Sequence, residues 1–392
     1  MPVPRIEPCV PDEACEQLRL EVREFLAEAL AGHPAVARAH HWSVADPEFS
    51  RRLGERGWIG MTWPARYGGH ERSQLERYVV IEELLAAGAP VAAHWTADRQ
   101  SGPLLIRFAP ETLAPKIVPG IVRGETWFCI GLSESDTGSD LASVRTRATR
   151  SGDGWVLDGT KTWISNAGLA DRYVIFARSG EAPGAKGISA FLVDAGTPGL
   201  DASERIPVIA PHPLGTLRLN GCRVGADRLI GAPGQGFAIA MGTLDLFRTT
   251  VGAAGLGFAR RALDEATQRA IGRRMFGQTL ADFQLTQVQV GDMATQIDAA
   301  ALMVYRSAWT RDVMGRRVTR EASMAKLYAT EVAQKVIDGA VQLHGGLGVV
   351  TGSTVERLYR EIRALRIYEG ATEVLQLIVG ARHLDAARKA AS

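Results

Sequence analysis

The chain has few cysteines, and they form no pattern typical of a covalent or metal-bound framework. Only four of its 392 residues are cysteine, and no two of them make a C-x-x-C pair: Cys9, Cys15, Cys129 and Cys222. In a chain of this length, such sparse thiols argue against a disulfide scaffold and a structural zinc site. They fit a reducing cytosol, so we expect a cytoplasmic protein that holds no metal.

The chain also lacks an excess of either charge and any long apolar run. It carries 45 basic and 43 acidic residues, a formal net charge of +2, which gives no argument for nucleic acid or an anionic membrane as a partner. No apolar run is long enough to span a bilayer. Residues 1–11 are interrupted by prolines and have no apolar core, so no secretory leader is expected.

Several catalytic motifs are missing as well. The eight histidines show no H-E-x-x-H spacing, and no P-loop is present. The sequence Gly131-Leu132-Ser133-Glu134-Ser135 lacks the second glycine of a nucleophile elbow. These absences argue against a zinc hydrolase, a P-loop nucleotide hydrolase and a serine hydrolase of that type.

The pattern of apolar residues changes along the chain, from helical spacing to β-prone runs and back to helical spacing. Apolar residues recur at helical spacing over 12–30, 75–87, 91–108 and 113–122, and a turn-rich loop covers 58–69. Short β-prone runs follow at 127–132, 144–149, 155–158, 162–164, 173–177, 188–193 and 217–224, with Asp158-Gly159 predicted as a turn. Helical patterns return over 237–270, 285–314, 319–343, 354–363 and 371–387.

This order predicts an α+β protein with three domains. We expect an N-terminal all-α domain over 1–123, a middle antiparallel β domain over 124–233, and a C-terminal domain over 234–392 that resembles a four-helix bundle. A length of 392 residues is ample for several cores.

One carboxylate stands out in the last third. Glu369 lies among apolar and aromatic neighbours and is followed by Gly370, where a flat ligand could approach the backbone. A carboxylate that loses water has a raised pKa, which suits a general base near neutral pH. The alternative is an acidic residue that merely stabilises the start of the next helix.

Four other stretches are candidates for binding. Each has a structural alternative, namely a turn, a core tryptophan, a helix cap or surface arginines. A loop rich in hydroxyls, a strand with a tryptophan and a serine, a pair of glycines and a pair of arginines could hold a heterocycle or a phosphate: 132–140, 159–167, 344–348 and 273–278.

Together these stretches resemble the acyl-CoA dehydrogenase family of flavoproteins, over nearly the whole chain. The landmarks occur in the family's order: Ser133-Glu134 with Gly138-Ser139-Asp140, Gly159-Thr160-Lys161 with Trp163-Ile164-Ser165, Arg273 with Phe276-Gly277, Gln342 with Gly345-Gly346, and Tyr368-Glu369-Gly370. The resemblance implies the acyl-CoA dehydrogenase fold, a homotetramer built as a dimer of dimers, and an electron-transfer flavoprotein as electron acceptor.

The resemblance also implies roles for individual residues. FAD would be held by Leu132, Ser133, Gly138, Trp163, Ser165, Arg273, Phe276, Gln284, Gln342, Gly345, Gly346, Thr372 and Glu373, several of them serving the FAD of a neighbouring subunit. The acyl-CoA would meet Ser139, Asp245, Arg248 and Gly370. Glu369 would remove the α-proton of the thioester, since Phe247 stands near the place where other members carry their base.

The chain departs from the family pattern in two regions. Ser135 and Thr137 replace the usual proline and alanine beside the flavin, and segment 93–102, which helps shape the acyl pocket in relatives, is unusually polar. We therefore hypothesise a bulky, branched or polar acyl group.

Four alternatives remain open. They are a dehydrogenase of an acyl group tethered to a carrier protein, a flavin oxidase or N-oxygenase, a flavin-binding protein without enzymatic activity, and one subunit of a mixed tetramer.

Overall fold

The computed structural model describes residues 11–39 and 44–391, which pack as two compact units. The helical unit comprises the described residues of Met1–Trp42, Ser73–Ala89 and Phe247–Ser392. The sheet unit comprises the described residues of Ser43–Arg72 and Pro90–Leu246. These units follow spatial packing, and the domain boundaries at 123 and 233 stay a prediction.

Ten of the twelve helices in the described residues lie in segments that the apolar periodicity indicates, and the α+β class is confirmed. In chain order they are α1 Glu13–Ala29, α2 Ala35–Arg38, α3 Pro47–Glu55, α4 Gln74–Ala87, α5 Ala92–Thr96, α6 Gly102–Phe108, α7 Ala114–Val122, α8 Gly236–Gly272, α9 Gln284–Asp312, α10 Thr319–His344, α11 Thr354–Leu365 and α12 Thr372–Ala391. A π-helical turn, Ala97–Ser101, joins α5 to α6. Helices α2 and α3 were not predicted.

Side-chain caps explain where two of the predicted helices begin. The Asp12 carboxylate accepts a hydrogen bond from the backbone N–H of Cys15 at 2.9 Å and so starts α1. Ser73 and Glu76 form a reciprocal capping box at the start of α4. Such caps satisfy N–H groups that have no partner within the helix.

A buried cluster of charges ties the helices of the helical unit together. Glu82 and Glu83 of α4 are 3% and 4% exposed, and they meet Arg19 of α1 and Arg260 of α8. The Tyr305 hydroxyl of α9 donates to Glu82 at 2.7 Å. Burial would raise the pKa of Glu83, but hydrogen bonds and charges from the surrounding arginines lower it to about 2.

The sheet unit contains an eight-stranded sheet. Its strands are β1 Phe128–Gly131, β2 Arg147–Ser151, β3 Gly154–Ser165, β4 Arg172–Arg178, β5 Ile188–Asp194, β6 Leu200–Asp201, β7 Leu214–Gly225 and β8 Leu229–Ile230. Seven of them run in the order β6-β7-β3-β2-β4-β5-β8, and β1 pairs with β4. The inner face packs around Trp155 and Phe191, whose rings meet edge to face at 5.3 Å.

Two details of the predicted β domain are wrong. The sheet is mixed, because β1 lies parallel to β4. Residues 154–165 form one continuous strand, so Asp158-Gly159 is not a turn. Pairing with β7 continues past Gly159 with a shift of register. Gly159 has φ +146°, and a Cβ there would lie 2.7 Å from the Cα of Thr146, so glycine is needed for close strand approach.

Two further observations concern thiols and apolar helices. Cys15, Cys129 and Cys222 are buried free thiols, while Cys9 lies outside the described residues. Across residues 11–39 and 44–391, every helix is too short or too polar to cross a bilayer.

Candidate active site

In the sheet unit, the hydroxyl-rich loop begins directly after β1 and is fixed by one buried carboxylate. Glu134 accepts hydrogen bonds from the backbone N–H groups of Arg145 at 2.7 Å and Thr146 at 2.9 Å, and from the Lys161 ammonium at 2.8 Å. Lys161 also donates to the carbonyl of Leu132 at 3.1 Å. Lys161 of β3 therefore fixes the backbone at the start of the loop through the carbonyl of Leu132.

The Glu134–Lys161 pair is almost fully out of water. The two side chains are 8% and 0% exposed. Burial alone would raise the pKa of Glu134, but the hydrogen bond and charge of Lys161, with the two backbone donors, hold it well below its usual range. Both groups are thus charged at neutral pH, and each is the other's counter-ion.

The loop then turns sharply and leaves one polar group unsatisfied. Glu134 and Thr137 exchange backbone hydrogen bonds at 2.9 and 3.2 Å. The Thr137 hydroxyl oxygen is buried and has no hydrogen-bond partner among the described residues. Gly138 and Ser139, which follow, are exposed. Thr137 is one of the two departures from the family pattern, and its hydroxyl is free to bond a ligand.

The end of β3 presents an aromatic ring. Trp163 lies where the pairing with β7 shifts, has φ +57° and is 53% exposed. Its neighbour Ser165 makes a 2.8 Å hydrogen bond to Nε2 of His212. Burial lowers the pKa of His212 to about 4, so this imidazole is neutral. His212 was not predicted, because only the fold brings it to Ser165 from 47 residues away.

A small recess lies in the sheet unit beside Leu132. Its cavity volume is about 10 Å³, and it is lined by Gln100, Leu104, Ile130, Leu132, Phe176, Ala240, Thr243 and Leu244. Six of these eight side chains are apolar, and Gln100 and Thr243 are the polar members. The polar segment expected to shape an acyl pocket contributes Gln100, while its His94 is 2% exposed and bonds Ser50 at 2.9 Å.

In the helical unit, Glu369 lies in the short connection between α11 and α12. It is half-buried and has φ +57°, a left-handed conformation that is uncommon for residues other than glycine. Gly370 follows with φ +100°. Their carbonyl groups are held by two buried cations: Arg248 Nε donates to Glu369 O at 3.2 Å, and Lys326 Nζ donates to Gly370 O at 2.8 Å.

Glu331 of α10 holds both ends of the same connection. Its carboxylate accepts from Arg366 Nε at 2.8 Å and from the Thr372 hydroxyl at 2.6 Å, and its second oxygen lies 2.8 Å from Arg366 Nη2. We call residues 366–372 the base loop. Sequence reasoning missed Lys326 and Glu331, although a lysine among the alanines of a buried helix face was an available signal.

A second candidate region of the helical unit follows α10. Gly345 has φ +63° and ψ −141°, and a Cβ at Gly346 would meet no atom within 4 Å. A guanidinium nitrogen of Arg273 lies 3.1 Å from the position of a Gly345 Cβ. Nearby in the sequence, Phe276 has φ +50° and is 87% exposed. An accessible glycine backbone beside an arginine suits a phosphate ligand.

The other predicted site residues are distributed as follows. Gln284, Gln342 and Glu373 are exposed at helix ends. Asp245 is buried in the sheet unit, and Arg248 is buried in the helical unit against the base loop. The structure thus brings Arg248 to Glu369 and Arg273 to Gly345. The hydroxyl of Thr372, expected at the cofactor, is bonded to Glu331.

In each unit, taken by itself, these features fit one part of a flavin dinucleotide. An exposed indole offers a stacking surface for a flat ring, and the buried Thr137 hydroxyl offers a polar contact. Arg273 beside the accessible Gly345-Gly346 backbone offers the chemistry that a pyrophosphate requires.

Comparison with known proteins settles the family. The descriptions "Acyl-CoA dehydrogenase, N-terminal domain", "middle domain" and "C-terminal domain" match residues 12–125, 129–222 and 234–384. The human mitochondrial short-chain specific acyl-CoA dehydrogenase is 36% identical over 95% of this chain and 90% of its own. This chain belongs to the acyl-CoA dehydrogenase family. It is an oxidoreductase that uses FAD, and the family activity is dehydrogenation of an acyl-CoA.

Two other similar proteins have names that give different substrates. A 3-(aryl)acrylate reductase of Clostridium sporogenes is 32% identical over 95% of this chain and 99% of its own. The structure of the prolyl acyl carrier protein oxidase AnaB is 27% identical, covers 96% of this chain and 100% of its own, and has a TM-score of 0.88. Family membership alone therefore does not identify the acyl group of this enzyme.

Proposed function

We propose that this acyl-CoA dehydrogenase oxidises an acyl-CoA to the 2-enoyl-CoA with Glu369 as the α-proton base. The observation that carries the proposal is the conformation of Glu369, which is held left-handed by hydrogen bonds from Arg248 and Lys326 to consecutive carbonyl groups. Unfavourable backbone conformations persist where the surroundings enforce them, and they cluster at functional sites.

The chemistry divides between the chain and its cofactor. FAD, when bound, supplies the acceptor for the β-hydrogen, which leaves the substrate as hydride. Glu369 takes the α-proton on its carboxylate and becomes a neutral acid. The backbone N–H of Glu369 donates to the thioester carbonyl oxygen as enolate charge develops, which is the logic of an oxyanion hole.

The remaining site residues keep their proposed roles. FAD is held in the sheet unit by Leu132, Ser133, Gly138, Trp163 and Ser165, and in the helical unit by Arg273, Phe276, Gln284, Gln342, Gly345, Gly346, Thr372 and Glu373. The acyl-CoA is held by Ser139, Asp245, Arg248 and Gly370. A homotetramer supplies part of this set from a neighbouring subunit, and an electron-transfer flavoprotein takes the electrons.

We further propose that the acyl group is bulky, branched or polar rather than a long straight chain. The supporting observation is the recess beside Leu132, which carries the polar side chains of Gln100 and Thr243 among apolar walls. A panel of CoA esters should therefore give the best turnover with bulky, branched or polar acyl groups. Best turnover with octanoyl or longer straight chains would refute this assignment.

The decisive experiment on the base is anaerobic bleaching of the flavin by the same thioester panel. We expect Glu369→Gln to keep FAD, because the amide has almost the same shape, and to lose bleaching by every thioester. A positioned base contributes about 10²–10⁴-fold. The matched control is Glu24→Gln, an exposed residue of α1 with no proposed role, which should keep the FAD content and the rate of the wild type. Normal bleaching by Glu369→Gln would place the base elsewhere.

A carrier-protein thioester is the second candidate substrate, favoured by the likeness to the AnaB structure. The fold and the base would be the same, and only the group that carries the acyl thioester, CoA or a carrier protein, would differ. Measuring flavin reduction with one acyl group presented on CoA and on a carrier protein separates the two. Reduction only by the carrier-bound form would overturn the CoA assignment.

A further inference from the structure

Lys326 is a buried lysine with an unusual partner. Lys326 lies in the middle of α10 and is 0% exposed. Its ammonium donates a hydrogen bond to the main-chain carbonyl of Gly370 at 2.8 Å. Moving an ammonium out of water costs several kcal/mol unless other charges and hydrogen bonds compensate. A single neutral carbonyl is weak compensation, so the surrounding charges must account for the lysine.

Four charged groups act on Lys326, and a carboxylate is the strongest of them. Burial lowers the pKa of Lys326 to about 8, and the charge of Glu369 is the largest influence that opposes this effect. Glu331 acts in the same direction as Glu369, while Arg248 and Arg366 oppose them. Because interactions between titrating groups are mutual, the Lys326 ammonium also favours the ionised form of Glu369.

The same ammonium also contributes to the shape of the base loop. Glu331 fixes the ends of the loop through Arg366 and Thr372, and Arg248 holds the carbonyl of Glu369. The hydrogen bond from Lys326 to Gly370 fixes the next peptide. Loss of this hydrogen bond would remove one of the restraints that keep Glu369 and Gly370 in their left-handed conformation.

We propose that Lys326 is a positioning residue for the dehydrogenation: its ammonium fixes the Gly370 peptide, and with it the Glu369 carboxylate, and keeps that carboxylate ionised. This inference rests on the proposed role of Glu369 as the base. Lys326 itself exchanges no proton with the substrate.

The test measures the rate of anaerobic flavin reduction by a thioester between pH 5.5 and 9. Lys326→Met removes the charge and the donor at similar length, whereas Lys326→Gln removes the charge and keeps a donor. The control is Lys335→Met, on the same helix, where the side chain is 65% exposed and pairs with Asp292 at 3.2 Å. FAD content and thermal midpoint are recorded for each variant.

We expect Lys326→Met to retain FAD and to reduce it about tenfold more slowly at pH 6–7, with the midpoint of the pH–rate profile raised by about one unit. The midpoint should rise and not fall, because removal of the Lys326 cation disfavours the ionised form of Glu369. The deficit should shrink above pH 8, where wild-type Lys326 itself loses its proton. Lys326→Gln should show the same shift with a smaller loss of rate, and Lys335→Met should match the wild type.

Two results would overturn the inference. One is a Lys326→Met enzyme with unchanged rates, and the other is a loss of rate that is equal at every pH and follows the loss of FAD. If Lys326→Met fails to fold, the pH profile of Lys326→Gln decides in its place. Glu369→Gln, measured in parallel, separates the two proposals. If Glu369→Gln reduces its flavin at the normal rate, the base assignment is wrong. If Glu369→Gln fails to reduce its flavin while Lys326→Met behaves as the wild type, only the role of Lys326 is wrong.

Discussion

The buried pair of Glu134 and Lys161 should control whether the hydroxyl-rich loop, residues 132–140, keeps its shape. Glu134→Gln replaces one carboxylate oxygen with an NH₂ group, which then faces the N–H of Arg145 or Thr146 as donor against donor. The same change leaves the Lys161 ammonium, 0% exposed, without its counter-ion. Lys161→Met makes the complementary change and leaves the carboxylate with its backbone donors only.

The magnitude follows from the separation and the burial. At 2.8 Å, two unit charges attract by about 6 kcal/mol for an effective dielectric constant of about 20. Desolvation offsets part of this, and removing one partner of a buried pair costs about 3–5 kcal/mol. We expect each single variant to lose about that much free energy of unfolding. The double variant should lose clearly less than the two losses combined, with a coupling of about 2 kcal/mol or more.

Urea unfolding followed by tryptophan fluorescence measures these free energies, and the ratio of flavin to protein absorbance after gel filtration measures FAD retention. Both single variants should lose FAD, because Lys161 also holds the carbonyl of Leu132. Arg218→Met, which removes the exposed pair with Glu204 on the same sheet, is the control and should cost less than about 1 kcal/mol. Single losses below about 1 kcal/mol that simply add would refute the reasoning.

Two further predictions concern stability and assembly. The pKa of Glu83 is lowered to about 2 from 4.5, so its contribution is complete above about pH 4.5 and is lost as the pH falls through 2. The thermal midpoint of Glu83→Gln should therefore lie below that of the wild type at pH 7, with the gap narrowing from pH 4.5 downwards. A constant gap would contradict this. The proposed homotetramer predicts a mass in sedimentation of about 169 kDa, four times 42.2 kDa, and a stable monomer would exclude it.

The helices were predictable because their signals are local. Apolar spacing in 12–30 and 75–87 anticipated α1 and α4 almost to the residue, and the caps at Asp12 and Ser73 explain why. The unpredicted α3 has Asp46 as its cap and Pro47 at its start, so a start signal was present there too. The proposed site residues, Glu369 among them, were located along the chain by their match to the family motifs, and they stay a prediction.

What the sequence could not supply depends on pairing between distant segments. Asp158-Gly159 has the composition of a turn, but hydrogen bonding to β7 extends the strand through it. The parallel pairing of β1 with β4 leaves no local trace. Likewise, the sequence indicates only that Lys326 lies in a helix. The fold brings its ammonium to the carbonyl of Gly370, which is 44 residues later in the chain. His212 reaches Ser165 in the same way.

The discontinuous helical unit has a consequence for synthesis on the ribosome. Arg19 of α1 bonds the Tyr305 hydroxyl of α9, a partner 286 residues later in the chain. At about 5–20 residues per second, α1 emerges roughly 15 to 60 seconds before that partner exists. During this interval Arg19 lacks its Tyr305 partner, and the buried charge cluster of the helical unit is incomplete. We therefore expect the helical unit to reach its final packing only after α9 has been synthesised, so that the nascent chain meets chaperones for longer than a unit built from one continuous segment would.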